Sequence, residues 1–364
     1  MLFLVGDAGV AIAEKSPLLA HMSGEVDRWA GVLPDSSVVV AFLGDNVYPV
    51  GIRDRNHRDF PQDSARLWSQ LRVLDSESAR TKGVVGLFTS GNHDWGNMIG
   101  EEGRERLANE ERMIAEARES GIHVDLLPAG GTPGPSVHDI RRAARLVFID
   151  THWFLQERRD LWENAFFEGV TQALATSPSD RTIMMAHHPF RSAGPHGALV
   201  PAFNAFGAVY LFKKTGTLIQ DLNSPRYATF LTRLRTAFAE GGGPPLVFAG
   251  GHDHSLQVLS PLQSSDPPHL LVSGAGSKIT GVSTVPGLRM AASRPGYMQL
   301  LMLRNGDAHL RVVAADERAQ HCDTRPANLE ACMVASESAF RVVYTETLTP
   351  ASKAGPADPP RASR

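Results

Sequence analysis

Apolar runs recur along the chain at Met1 to Val5, Ser37 to Leu43, Val84 to Phe88, Leu146 to Ile149, Thr182 to Ala186 and Leu246 to Ala249, each almost unbroken by polar positions. Runs of that length without alternation fit strands buried on both faces. Between them lie stretches of helical pattern: Pro17 to Trp29 with Ser16 as N-cap, Ser64 to Val73, Gly103 to Glu119 and Tyr227 to Glu240. Alternation of strand and helix predicts a mainly parallel sheet with right-handed crossovers, whose ligands gather beyond the carboxyl ends of the strands.

After Gln257 the pattern changes to closely spaced strands at His269 to Ser273, Tyr297 to Leu303 and His309 to Val313, with Asn305-Gly306 as a hairpin turn. A second, more antiparallel sheet follows from this. The fold expected is α/β, a four-layer α/β/β/α sandwich of two stacked mixed sheets flanked by helices, because the loop after Ala249 joins the two halves. It is expected as a single domain over residues 1–348, with its antiparallel part at 256–348 and an insert at 198–225. The insert carries Phe203, Phe206, Tyr210, Leu211 and Phe212, and reads as a surface loop packing its own small core or as a lid. Residues 349–364 are small, polar and proline-rich, which predicts a disordered tail. The stretch Ala129 to Pro135 reads as a loop, and there is no internal repeat.

Composition narrows the partners. The chain has 364 residues, 42% of them hydrophobic, enough for a large core. Its net charge of −3, from 36 basic and 39 acidic residues without a basic run, gives no sign of nucleic-acid binding. No apolar run approaches the roughly 20 residues that span a bilayer. Leu2-Phe3-Leu4-Val5 is too short for a signal-peptide core and reads as the first strand, so any leader has been removed or never existed. Cys322 and Cys332 are the only cysteines, which excludes a thiolate zinc or iron–sulfur site and leaves a local disulfide and two free thiols equally open.

The candidate chemistry sits where the strands end. Gly251-His252-Asp253-His254 follows the run ending at Ala249, and two imidazoles one residue apart can face two different metal ions. Four other runs deliver a potential ligand within a few residues of their ends: Asp7, Asp45, Asn92 and His187. Each motif has a plainer reading alone. Gly6-Asp7-Ala8-Gly9 is an ordinary turn, Tyr48 a core residue with a bonded hydroxyl, and Asn92 the cap of an Asx-turn. Pro189 ends its strand and aims His187 at the loop face, while His188 alternates away and reads as a packed residue.

The ordered set, Asp7, Gly44-Asp45-Asn46-Val47-Tyr48, Gly91-Asn92-His93-Asp94, His187-His188-Pro189 with Gly194-Pro195-His196-Gly197, and Gly251-His252-Asp253-His254, resembles the signature of calcineurin-like metallophosphoesterases. The nearer resemblance is to the purple acid phosphatase branch, including the small tartrate-resistant type. Position 9 is Gly, where many of the superfamily carry a ligand His, and Tyr48 stands in for that missing ligand. Leu271 to Lys278 also resembles the segment after the last motif in that branch, and the likeness runs from residue 1 to about 280. Ala8 departs from the Trp usual there and is expected to open or reshape one wall of the site.

The resemblance implies a binuclear-metal phosphoesterase that hydrolyses phosphate monoesters by attack of a metal-bridging hydroxide. One ion would take Asp7, Asp45, Tyr48 and His254, and the other Asp45, Asn92, His187 and His252. A phenol of pKa about 10 binds well at neutral pH only to a strongly acidic cation, so Tyr48 favours Fe(III), with Zn, Fe or Mn(II) at the other site. Three anionic ligands against those ions leave about +2, suited to holding a phosphate. His93 and His196 are implied as partners of the phosphoryl oxygens and leaving group, with Asp94 orienting His93. The implied partner is a small-molecule phosphoester. A phosphodiesterase or nucleotidase, or a non-catalytic phosphate- or metal-binding module, are the alternatives. Close relatives are frequently exported, which points to the periplasm or exterior if a leader was removed and to the cytoplasm otherwise.

Overall fold

A computed structural model describes residues 1–10, 16–97, 100–140, 143–156, 160–178, 181–197, 222–322, 332–334 and 336–350. Its strands in chain order are β1 (Leu2–Val5), β2 (Val39–Leu43), β3 (Val85–Thr89), β4 (Val124–Leu126), β5 (Ser136–Ile140), β6 (Ala144–Phe148), β7 (Thr182–Met185) and β8 (Val247–Gly250). They continue with β9 (Leu256–Leu259), β10 (His269–Ser273), β11 (Leu288–Ala292), β12 (Gly296–Met302), β13 (Ala308–Ala315), β14 (Gln320–Cys322), β15 (Cys332–Val334) and β16 (Phe340–Leu348). The helices are α1 (Pro17–Val32), α2 (Phe60–Leu71), α3 (Glu77–Thr81), α4 (Glu101–Glu119), α5 (Thr151–Gln156), α6 (Asp160–Ala175) and α7 (Pro225–Glu240).

Two mixed sheets of seven strands each carry the fold, ordered β16-β13-β12-β1-β2-β3-β4 and β11-β9-β10-β8-β7-β6-β5. The α/β architecture is the one expected, but the strands are shared out differently. The early apolar runs do not form one parallel sheet: β1 to β4 run parallel in the first, and β6, β7, β8 and β10 run parallel in the second. The late antiparallel strands edge both sheets, β12 on β1 and β9 on β10, and do not make a sheet of their own. Burial explains the division. Along β1, Leu2 and Leu4 join a core with Leu146, Met185, Val258 and Leu310 from both sheets, while Phe3 and Val5 join the core that includes the helices. A strand apolar on both faces needs cover on both, and stacking two sheets between helices supplies it.

Helix α1 begins where the sequence signals it, whereas α2 and α4 begin at Phe60 and Glu101, ahead of the Ser64 and Gly103 read from the pattern. Ser16 Oγ accepts from Leu19 N at 3.4 Å ahead of Pro17, and Ser224 Oγ accepts from Tyr227 N at 3.2 Å ahead of Pro225, which starts α7 two residues before the pattern did. The small ribbon of β14 and β15 sets Cys322 opposite Cys332 in register. Of the insert expected at 198–225 and the tail expected at 349–364, residues 198–221 and 351–364 lie outside the described residues. No helix among the described residues is long and apolar enough to cross a membrane.

Candidate metal centre

The parallel registers bring the strand ends side by side, with Leu4 opposite Ala41, Val5 opposite Phe42 and Leu43 opposite Thr89 in the first sheet, and Met185 opposite Ala249 in the second. Each strand then turns sharply. Asp7, Asp45 and His252 have φ of 60°, 55° and 66°, a left-handed conformation that Asp tolerates better than most side chains do. The loops also interlock: Asp7 N donates to Gly44 O at 2.9 Å, Tyr48 N to Gly9 O at 3.1 Å and Gly251 N to His187 O at 2.8 Å. Gly91 lets two loops touch, since a Cβ there would overlap the Asp45 carboxylate.

All seven expected ligands meet, in two clusters. In the first, Tyr48 Oη donates to Asp7 Oδ1 at 2.9 Å and lies 3.2 Å from His254 Nε2, which is 3.4 Å from Asp7 Oδ1. In the second, His187 Nε2 lies 2.9 Å from Asn92 Oδ1, 3.2 Å from His252 Nδ1 and 3.4 Å from Asp45 Oδ1. Asp45 also belongs to the first, grouped with Asp7 and His254 by ligand atoms within 4.8 Å of one another.

The donor chemistry fits metal ions. His187 Nδ1 faces Leu43 O at 2.9 Å and donates there, which turns Nε2 inward. Asn92 Nδ2 donates to Asn97 Oδ1 at 2.7 Å, which fixes the amide with its oxygen inward. An imidazole nitrogen and an amide oxygen, each bonded behind, therefore face one another, and a cation between them satisfies both.

The electrostatics agree. Burial, then the Asp45 and Asp7 charges, push the Tyr48 phenol well above its usual range. Burial alone would lower the His187 pKa, but Asp45, Asp7 and the Leu43 carbonyl outweigh it and raise it. Burial opposes the charge on Asp45 too, yet the His187 and His93 imidazoles and the His93 N–H at 2.9 Å hold its carboxyl below the ordinary range. Burial and the surrounding imidazoles push His252 and His188 down, so both are neutral. His188 Nδ1 bonds Thr151 Oγ1 at 2.9 Å, and its ring packs 4.3 Å from that of His252.

His93 and His196 flank this shell. His93 is 25% exposed, with Nε2 3.9 Å from Asp45 Oδ2 and Nδ1 2.6 Å from Pro49 O. The His196 ring lies 4.2 Å from that of His252, and its backbone N donates to Asp253 Oδ1 at 3.1 Å.

Asp94 does not orient His93 as expected. Its buried carboxylate accepts from Gly91 N at 2.8 Å, Val47 N at 2.9 Å and Asn46 N at 3.1 Å, so it ties the loops bearing Asp45 and Asn92 together from beneath. The Pro49 carbonyl, 2.6 Å from His93 Nδ1, takes that role. Burial and the Asp45 charge raise Asp94 to about 7 against those three N–H groups.

Three residues of this support, Glu110, Asp150 and Arg66, escaped the sequence reading, and a fourth, Lys278, was read only as the end of a resembling segment. Glu110 of α4 lies buried with Oε1 3.0 Å from Asn46 Nδ2. Asp150 accepts from Ser90 Oγ at 2.7 Å and Trp95 Nε1 at 2.8 Å. Arg66, paired with Asp63, donates to Tyr48 O, and the Lys278 ammonium stands 3.7 Å from the centre of the Tyr48 ring. Of the first three, only Asp150, at the end of a predicted strand, carried a usable signal. Ala8 opens no wall: it is 5% exposed, with the backbone of Gly276 against it.

No family model and no curated protein matches the sequence. Among solved structures, the chain is similar to GAP50, the anchor in the inner membrane complex of Plasmodium, with a TM-score of 0.53 and 16% identity over 96% of this chain and 88% of that one. It is similar to the purple acid phosphatase PPD1 from seeds of yellow lupin (Lupinus luteus), with a TM-score of 0.54 and 12% identity over 96% of this chain and 53% of that one. It is also similar to PhoD, with a TM-score of 0.54 and 11% identity over 95% and 72%. The protein has the calcineurin-like metallophosphoesterase fold. Its strand ends carry buried His and Asp groups that could hold metal ions.

Proposed function

We propose that the protein is a binuclear-metal phosphoesterase acting on phosphate monoesters, with Fe(III) among Asp7, Asp45, Tyr48 and His254 and a divalent Zn, Fe or Mn among Asp45, Asn92, His187 and His252. The observation that carries this reading is the pair of buried clusters with lone-pair atoms turned on one another and Asp45 common to both. When bound, two such ions would supply Lewis acidity and an activated water for in-line displacement at phosphorus. The chain's residues do the rest. His93, held by the Pro49 carbonyl at 2.6 Å, is the side chain placed to meet a phosphoryl oxygen or protonate the leaving group, and His196 stands over the His252 side. Asp94 and Asp150 keep those loops in place by accepting from their N–H groups and side chains.

A second reading draws on the neighbour named as an anchor, 88% of which this chain covers: a metal- or phosphate-binding module that does not turn over. Elemental analysis with a visible spectrum, followed by parallel assays on monoesters and diesters, separates the readings. Two ions per chain, a visible band and turnover favouring monoesters are expected. Full occupancy without turnover would favour the module, and faster diester cleavage would favour a phosphodiesterase or nucleotidase.

A further inference from the structure

We infer that Asp253 is a positioning residue for His196, fixing that imidazole beside His252 through the His196 backbone N–H, an inference that rests on the phosphoesterase reading above. The segment after β8 divides its side chains between two tasks. His252 and His254 go to the two ligand clusters. Asp253, Ser255 and Gln257, all fully buried, form a polar shelf under the loop after β7.

The shelf takes up that loop's backbone donors. Asp253 Oδ1 accepts from His196 N at 3.1 Å, and Gln257 Oε1 accepts from Ala193 N at 2.8 Å. Gln257 Nε2 donates to Ser255 Oγ at 2.8 Å and to Ser192 Oγ at 3.0 Å, and Ser192 Oγ accepts from Gly194 N at 2.9 Å. Pro195 has no N–H, so every backbone donor from Ala193 to His196 ends on a side chain and not in a ladder. Side chains therefore set the shape of this loop.

The fit at Asp253 is close. A Cβ on Gly194 would come 2.5 Å from Asp253 Cγ and 2.7 and 2.8 Å from its two oxygens. Leu222 N donates to His196 O at 3.2 Å, so His196 is bonded at both of its peptide groups, and its ring lies 4.2 Å from that of His252. Stability alone does not account for the carboxyl group. Asp253 Oδ2 is buried with no hydrogen-bond partner among the described residues, which leaves the desolvation of that atom without return. What an apolar side chain could not supply is a fixed acceptor under the His196 N–H. A group that meets substrate oxygens loses about 10²-fold when it is displaced by about 1 Å.

The test uses the metal-loaded full chain as wild type, Asp253→Ala, Asp253→Asn, His196→Ala and the double variant Asp253→Ala with His196→Ala. Metal content and melting temperature are measured for each, with kcat and KM on an aryl phosphate monoester and inorganic phosphate affinity by calorimetry. Asp253→Ala should weaken phosphate binding and lower kcat/KM by between about 10- and 100-fold at unchanged metal content. Asp253→Asn keeps an acceptor under the N–H and should restore most of both losses. The double variant should be no worse than His196→Ala, because Asp253 acts through that residue. Losses that multiply in the double variant, metal loss in Asp253→Ala, or an Asp253→Ala that behaves as wild type would each overturn the inference. Gly194→Ala presses on the same carboxyl group from the other side and decides the matter if Asp253→Ala does not fold: it should reproduce the loss and add nothing to His196→Ala. Phosphate binding that follows this pattern without turnover would count against the phosphoesterase reading and leave the role of Asp253 standing, whereas turnover with multiplying losses would do the reverse. A wild type that neither turns over nor binds phosphate would overturn both.

Discussion

The two halves of the candidate metal centre are built from the same kind of strand end but differ in what an ion would have to displace. In the half formed by Asn92, His187 and His252, the donors apart from the shared Asp45 carboxylate are an amide and two imidazoles, and the Leu43 carbonyl and Asn97 fix one imidazole and the amide from behind. The proton at issue there is at most one on His187, whose pKa is raised from an ordinary imidazole value. In the half formed by Asp7, Tyr48 and His254, the phenol proton lies between Tyr48 and Asp7, and burial with two carboxylates makes it hard to remove. Only a strongly polarising ion overcomes that. On the reading proposed above, amide and imidazole donors beside a guarded phenol would sort two ions by charge, and loading the Tyr48 half would release a proton and strengthen as pH rises.

Removing the residue common to both halves is the severest way to break the comparison. Asp45→Asn should weaken both ions and lower turnover by well over the about 10²-fold that outer partners alone can cost. Metal content near wild type with ordinary turnover would refute the shared carboxylate. Tyr48→Phe tests one half. The ring packing survives, the visible band of an Fe(III)-phenolate should vanish, and the trivalent ion should bind more weakly while the divalent one stays. A colourless wild type indifferent to the change would remove iron from the assignment and leave a symmetrical pair of divalent ions.

His93→Ala leaves both halves intact and should slow hydrolysis about 10²-fold, with the larger loss on poor leaving groups. The smallest effect lies beneath them, at Glu110. Burial and the nearby Asp94 raise its pKa well above 4.5, so its contribution to stability is complete below about 4.5 and is lost as pH rises through the folded-state value. Glu110→Gln, which carries no proton to lose, should melt close to wild type in mild acid and above it in alkaline buffer. A melting difference independent of pH would show that Glu110 is not held neutral.

These contrasts also mark what the sequence discloses. The seven candidate ligands are legible because each follows an apolar run, and Gly6, Gly44, Gly91 and Gly251 mark the turns before Asp7, Asp45, Asn92 and His252. The division into two sheets is not, since β1 pairs with β12 nearly the whole chain away and no local pattern names that partner. Asp94 was legible as a residue and misread in role, because adjacency in sequence to His93 says nothing of which way a side chain leaves a tight turn. Glu110 sits in Glu101–Glu119 among acidic neighbours that look the same in a string of letters, and only the fold shows which one faces inward. Lys278 is a lysine after a glycine-rich loop until the fold sets its ammonium over the Tyr48 ring.

The two seven-stranded sheets meet at this centre. Asp7, Asp45, Tyr48 and Asn92 follow β1, β2 and β3 of one, while His187, His252 and His254 follow β7 and β8 of the other, so each half draws donors from both sheets. An ion bound in either half would then be a rivet as well as a reagent. Sliding one sheet against the other would tear its coordination shell, so metal affinity adds to the cohesion of the whole sandwich as RT ln(1 + [M]/Kd). The melting temperature should climb with free metal concentration. A chelator would act as a denaturant whose strength is set by how tightly the strand ends grip.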